Sequence, residues 1–95
     1  MKRSQDYENA MKEVLGKLWS LTQKYPVSNE FVKQVWAIIW TLKDHCIIAF
    51  NHESELERKR AEKRFFELQE KTVSLLEKYD EEAEKIILAH PELMD

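Results

Sequence analysis

Apolar residues recur along this chain in alternating steps of three and four. Tyr7, Met11, Val14, Leu18, Leu21 and Tyr25 are spaced 4, 3, 4, 3 and 4, which places them on one stripe of an α-helix. Ala10, Leu15 and Trp19 widen that stripe on its flanks. The pattern predicts a first helix from about Ser4 to Lys24. Pro26 ends it, because a residue before proline is pushed out of the α region. Gly16 interrupts the pattern and costs about 1 kcal/mol relative to alanine.

A second helix is expected to start at Ser28 or Asn29, either of which can cap it, and to run to about Phe50. Its polar residues Lys33, Gln34, Thr41, Asp44 and His45 share one arc, and more than half of the circumference is apolar. A helix on one side of a core needs a stripe of only about 100°. The second helix is therefore expected to be the central one, with at least one of its tryptophans in the core.

Asn51 and His52 mark a break. Ser54 with Glu57 then fits the Ser-x-x-Glu box that opens a helix. A third seam follows, with Ala61, Phe65, Leu68, Thr72, Leu75, Tyr79, Ala83, Ile86 and His90 in helical register and Pro91 closing it. Unbroken, this helix would reach about 54 Å, against about 32–35 Å for the other two. Two outcomes are open. The chain breaks at Asp80, an acceptable N-cap, and residues 81–90 fold back as a short fourth C-terminal helix, or the end of the third helix projects and needs a partner.

These patterns predict an all-α fold: a small antiparallel helical bundle of three long helices, with or without that fourth, built as a single domain over residues 1–95. Composition agrees. The chain has 95 residues, one glycine and two prolines, too few turn formers for sheets and their tight turns. Cys46 is the lone cysteine, so no disulfide forms within one chain, which suits a reducing, cytoplasmic setting. No apolar run of signal-peptide length is expected near the N-terminus, where Asp6, Glu8 and Glu13 intervene. Phe31 to Phe50 is the most apolar stretch, but it carries Lys33, Lys43, Asp44 and His45. Charges cost about 2.5–3.5 kcal/mol each inside a bilayer, so no membrane span is expected there.

The net charge of −3 is unevenly spread. Residues 1–24 carry +2, residues 25–52 and 53–76 balance, and residues 77–95 carry −5. The acidic end disfavours nucleic acid and anionic lipid there.

Candidate chemistry is sparse. His45, Cys46 and His52 are the metal candidates, but a zinc site needs more converging ligands than these. The Glu-x-x-His pair of di-iron bundles is missing, since Leu42, Ala49 and Ile87 stand three residues before the histidines. No nucleophile elbow, phosphate loop or His-Glu-x-x-His occurs. Neither cofactor nor catalysis is expected. Arg58, Lys59, Arg60, Lys63 and Arg64 form the densest basic cluster and support an alternative reading as a nucleic-acid-associated bundle. Glu55, Glu57, Glu62 and Glu67 interleave with them, however, and a phosphate-binding helix is usually strongly positive on one face.

Trp36, Trp40, Lys43 and Ile47 fall on one edge of the second helix. Tryptophan is enriched among residues that carry binding energy at interfaces, and a lysine beside an indole can make a cation–π contact. Two neighbouring helices cannot cover so wide an apolar arc. The expected function is a non-enzymatic protein–protein interaction module of adaptor, assembly-factor, immunity or inhibitor type. It would use that edge, helped by Ile86 and Ile87, to bind another protein or a second copy of itself as a homodimer.

Overall fold

The computed structural model describes residues 2–89 and, within them, every side chain except those of Ala83, Ile86 and Ile87. Three helices account for nearly all of it: α1 (Ser4–Lys24), α2 (Asn29–Asn51) and α3 (Glu55–Ala89), with no strand among the described residues. The two connections are short. Tyr25 to Ser28 links α1 to α2, and His52 to Ser54 links α2 to α3.

Each helix starts where its side chains satisfy the first free N–H groups. The Asp6 carboxylate accepts from the Arg3 N–H at 2.8 Å, closing the start of α1. Ser28 Oγ accepts from the Phe31 N–H at 3.1 Å and caps α2. Ser54 Oγ accepts from the Glu57 N–H at 3.4 Å, so half of the expected capping box forms. The other half is replaced. The Ser54 N–H donates to His52 Nδ1 at 3.0 Å, while Glu57 pairs with Arg60 at 2.9 Å.

The core runs along all three helices. It contains Tyr7, Ala10, Val14, Leu18 and Leu21 of α1, Val35, Ile39, Leu42 and Ala49 of α2, and Ala61, Phe65 and Leu76 of α3. One end is closed by rings. Tyr7 lies 5.0 Å from Phe50, 4.7 Å from Phe65 and 5.0 Å from Phe66, centre to centre. At the other end Phe31 stacks on Tyr79 at 3.9 Å. The start of α1 thus meets the end of α2 and the start of α3, and the start of α2 meets the later part of α3.

Two expectations are corrected, and one open alternative is resolved. The first concerns the α3 seam, where Gln69 and Leu76 are buried while Leu68 is half-buried and Leu75 is 42% exposed. A strict seven-residue repeat drifts by about 20° per heptad on a straight helix, so the seam moves on by one residue. Gln69 is tolerated because its amide donates to the Ala10 carbonyl and to Glu13 Oε2, both at 3.3 Å, and a buried amide must be paired. The second concerns the centre of the bundle. α2 and α3 share the largest interface and α1 and α2 the smallest, so α3 rather than α2 is the helix that both others lean on. The open alternative concerns Asp80, where no break occurs. α3 continues to Ala89, so residues 81–89 do not fold back as a fourth helix; His90 lies outside the described residues.

At 1.5 Å per residue α3 is about 52 Å long and sets the long dimension of a molecule measuring 56 × 20 × 16 Å. Its last residues pass the linker between α1 and α2, and Glu81, Glu82, Glu84, Lys85, Leu88 and Ala89 are all exposed.

Candidate functional site

α2 has two apolar faces but only one buried one. Val35, Ile39, Leu42 and Ala49 point into the core. Trp36, Trp40 and Ile47 lie on the neighbouring edge and are 44%, 59% and 48% exposed. The expected burial of a tryptophan does not occur: Trp19 of α1 is also exposed, at 68%. The reason lies in the thin α1–α2 contact. Where the two helices stand apart, the indoles line the gap instead of filling it.

That gap is a cleft of about 400 Å³, lined by Leu15, Leu18, Trp19 and Thr22 of α1 and Val32 and Trp36 of α2. Leu15 and Trp19, read from the sequence only as flanks of a core stripe, turn out to form one wall of it. Their spacing of four next to Thr22 was the available signal, but a helix stripe does not say which flank a neighbour covers. The wall is also chemically plain. The Thr22 hydroxyl is spent on the Trp19 carbonyl at 2.8 Å, so it offers the cleft little polarity.

Trp40, Lys43 and Ile47 continue the Trp36 edge by helical spacing. Lys43 Nζ sits 4.9 Å from the Trp40 ring centre, a cation–π contact that holds the ammonium over the indole. Neither Lys43 nor the exposed Lys33 has an ion-pair partner among the described residues. An aromatic side chain carries about 150–250 Å² of surface. At the exposures above, and with Leu15 at 37%, the three tryptophans with Leu15 and Ile47 therefore present about 500 Å² of apolar surface. The largest patch on a typical monomer is about 300–600 Å² and is often functional.

Ile86 and Ile87 belong to the last turns of α3, and their side chains lie outside the described part of the structure. The backbone places α3 away from the tryptophan edge. Phe31, which meets α3 through Tyr79, and Trp36 are about 140° apart around α2 at 3.6 residues per turn.

The basic cluster is largely engaged by its own neighbours. The Arg58 guanidinium donates to the His52 and Glu53 carbonyls at 2.6 and 3.1 Å. Lys59 pairs with Glu55 at 3.5 Å, Arg60 with Glu57 at 2.9 Å and Lys63 with Glu67 at 4.0 Å. Arg64 is exposed. This is a solvated face of alternating sign, worth a few tenths of a kcal/mol per pair.

His45 and Cys46 are half-buried on α2, and His52 is exposed. His52 uses Nδ1 to receive the Ser54 N–H. Burial pushes the Cys46 thiol up, toward the unreactive protonated form. Among the described residues no three His, Cys, Asp or Glu side chains gather in a way that could hold a metal ion. No helix is long and apolar enough to cross a membrane, again among the described residues.

Two further groups are perturbed. Burial first, then the Glu62 charge and its 3.4 Å hydrogen bond, push the Tyr7 phenol up from 10.0 to about 12. Burial, then Asp80 and Glu84, raise the Tyr25 phenol. Beside Tyr25, a cleft of about 130 Å³ between α1 and α3 is lined by Lys17, Ser20, Lys24, Glu77 and Asp80. Lys17 and Glu77 pair across it at 3.0 Å, while Asp80 Oδ1 is buried without a hydrogen-bond partner among the described residues.

Comparison of the chain with protein-family models, with curated proteins and with solved structures returns no match.

Proposed function

We propose that this protein is a non-enzymatic interaction module of adaptor, assembly-factor, immunity or inhibitor type. In this reading three helices in an antiparallel bundle hold out the α1–α2 cleft and the Trp36–Trp40–Lys43–Ile47 edge to another protein or to a second copy, in the cytoplasm. The observation that carries it is the exposure of all three tryptophans on contiguous surface, at 68%, 44% and 59%. Burying apolar area returns about 25 cal/mol per Å². Leaving so much of it in water forgoes stabilisation that a partner can recover, and tryptophan is the residue most enriched among those that dominate binding.

The test compares the native mass of the protein, released gently from cells that make it, with that of Trp40→Glu. The reading expects the wild type in a larger assembly and the variant, equally helical, at lower mass. A variant that keeps the wild-type mass and every partner would sink it. Loss of helicity would instead return Trp40 to a structural role, and the more exposed Trp19→Glu then decides by the same comparison.

A further inference from the structure

We infer that the occupant of the α1–α2 cleft is the acidic end of α3 from a second copy of the chain, exchanged reciprocally. This inference rests on the interaction reading above and adds the identity of the partner. Three observations point to it. The first is charge. Lys33, next in sequence to the cleft-lining Val32, and Lys43, over the Trp40 ring of the adjoining edge, have no ion-pair partners, while Glu81, Glu82 and Glu84 at the end of α3 are exposed and likewise unpaired among the described residues. Two tryptophan edges laid on each other would set lysines against lysines. An acidic helix sets carboxylates against them.

The second observation is length. α3 has 35 residues against 21 and 23 in its neighbours, and Leu88 stands 74% exposed near its end. In the sequence Ile86, Ile87 and Leu88 follow Glu81, Glu82 and Glu84 after the single basic residue Lys85. The segment therefore combines apolar groups that suit the apolar lining of the cleft with the acidic groups that the lining lacks. It cannot serve its own chain, because α3 runs along the other side of α2.

The third observation is position. Thr22 and Val32 put the cleft beside the Tyr25–Ser28 linker, and α3 passes that same linker, with Glu84 close enough to act on Tyr25. Cleft and projecting end thus lie at one end of the molecule. Two copies meeting there about a two-fold axis can each place an α3 end in the other's cleft, which closes the assembly at two. A one-way exchange would instead leave a free cleft at each step and build a chain.

The experiment uses full-length protein in sedimentation across a hundredfold range of concentration. One variant spoils the cleft (Trp19→Glu) and the other spoils the α3 end (Glu81→Lys, Glu84→Lys and Leu88→Lys together). Circular dichroism establishes that both are as helical as the wild type. The wild type is expected to pass from monomer to dimer, with at least a tenfold weaker association when salt is raised from 50 mM to 500 mM. Each variant alone is expected to stay monomeric. Mixed in equal amounts they should form a heterodimer through the one surviving cleft and the one surviving α3 end. A wild type that stays monomeric overturns the inference, as does an α3-end variant that dimerises as well as the wild type. In the latter case a monomeric Trp19→Glu leaves the interaction reading standing with a different occupant. If Trp19→Glu also dimerises normally, the inference and the cleft both fail.

Discussion

The two ends of this molecule are built from similar residues and do opposite things with them. At the closed end Tyr7, Phe50, Phe65 and Phe66 bring four rings together, with Tyr7 and Phe65 buried and Phe50 at the rim, 48% exposed. Lys2 also reaches across, its N–H donating to Glu62 at 2.8 Å and its ammonium lying 5.0 Å from the Phe66 ring. At the open end Trp19 and Trp36 face each other across a cleft, and the one ring pair that closes is Phe31 on Tyr79. Aromatic content therefore does not decide burial. What decides it is whether all three helices converge. At the closed end they do, whereas at the open end α1 and α2, though joined by the Tyr25–Ser28 linker, leave a cleft between them. The closed end holds the fold, and the open end has surface to spare.

This contrast can be broken most easily at Phe65. Phe65→Ala removes the most completely enclosed ring of the closed end, and truncations of this kind cost about 3–5 kcal/mol. Urea unfolding should show a much lower midpoint. A loss below about 1 kcal/mol would mean that the closed end is not the anchor.

The second test is one of pH. The folded chain holds the Tyr7 proton more tightly than the unfolded chain does, with a folded value of about 12 against 10.0. The resulting stabilisation is complete below about pH 10 and is lost as pH rises through about 12, since unfolding then releases the proton. Two pKa units correspond to about 2–3 kcal/mol. Tyr7→Phe carries no such proton. The stability gap between wild type and Tyr7→Phe should thus move against the wild type by about 2 kcal/mol between pH 9 and pH 12, read from urea midpoints at each pH. A gap that stays constant would refute the role of burial and Glu62 at this end.

A smaller effect is expected where the open end begins. Ser28 caps α2 through the Phe31 N–H, so Ser28→Ala should cost about 1 kcal/mol. Hydrogen exchange should locate the loosening in the first turn of α2, beside the cleft, and leave the Phe65 turn unchanged. Equal loosening at both ends would mean that they do not behave as separate regions.

The smallest effect is the sharpest for the comparison. Trp19→Ala removes the largest side chain type in the protein from an exposed cleft wall, and its folding stability should change by no more than about 0.5 kcal/mol. A thermal melt of dilute protein checks this, and a loss near that of Phe65→Ala would erase the distinction between the ends.

The three helices could be read from the chain alone. Pro26 and Ser28, and His52 and Ser54, stop and start them through backbone sterics and local hydrogen bonds, which depend only on neighbours along the chain. The stripe of α1 from Tyr7 to Leu21 was equally legible, because a helix with one buried face writes that face at 3.6-residue spacing. The exposed edge holding Trp36, Trp40, Lys43 and Ile47 could be read in part, since too much apolar arc on α2 implies surplus surface. Other features depended on where the helices sit relative to one another. Gln69 and Leu76 replace Leu68 and Leu75 in the seam because the burial phase of a helix follows the direction of its neighbours, which no single stripe encodes. Trp19 and Leu15 became a cleft wall for the same reason: α1 leaves α2 at that height. α3 runs through Asp80 because a helix already packed on two others loses a turn of hydrogen bonds by breaking, and the cap on offer returns only one. Propensity and capping are settled within a few residues, whereas the burial of a flank is settled by a helix twenty or more residues away.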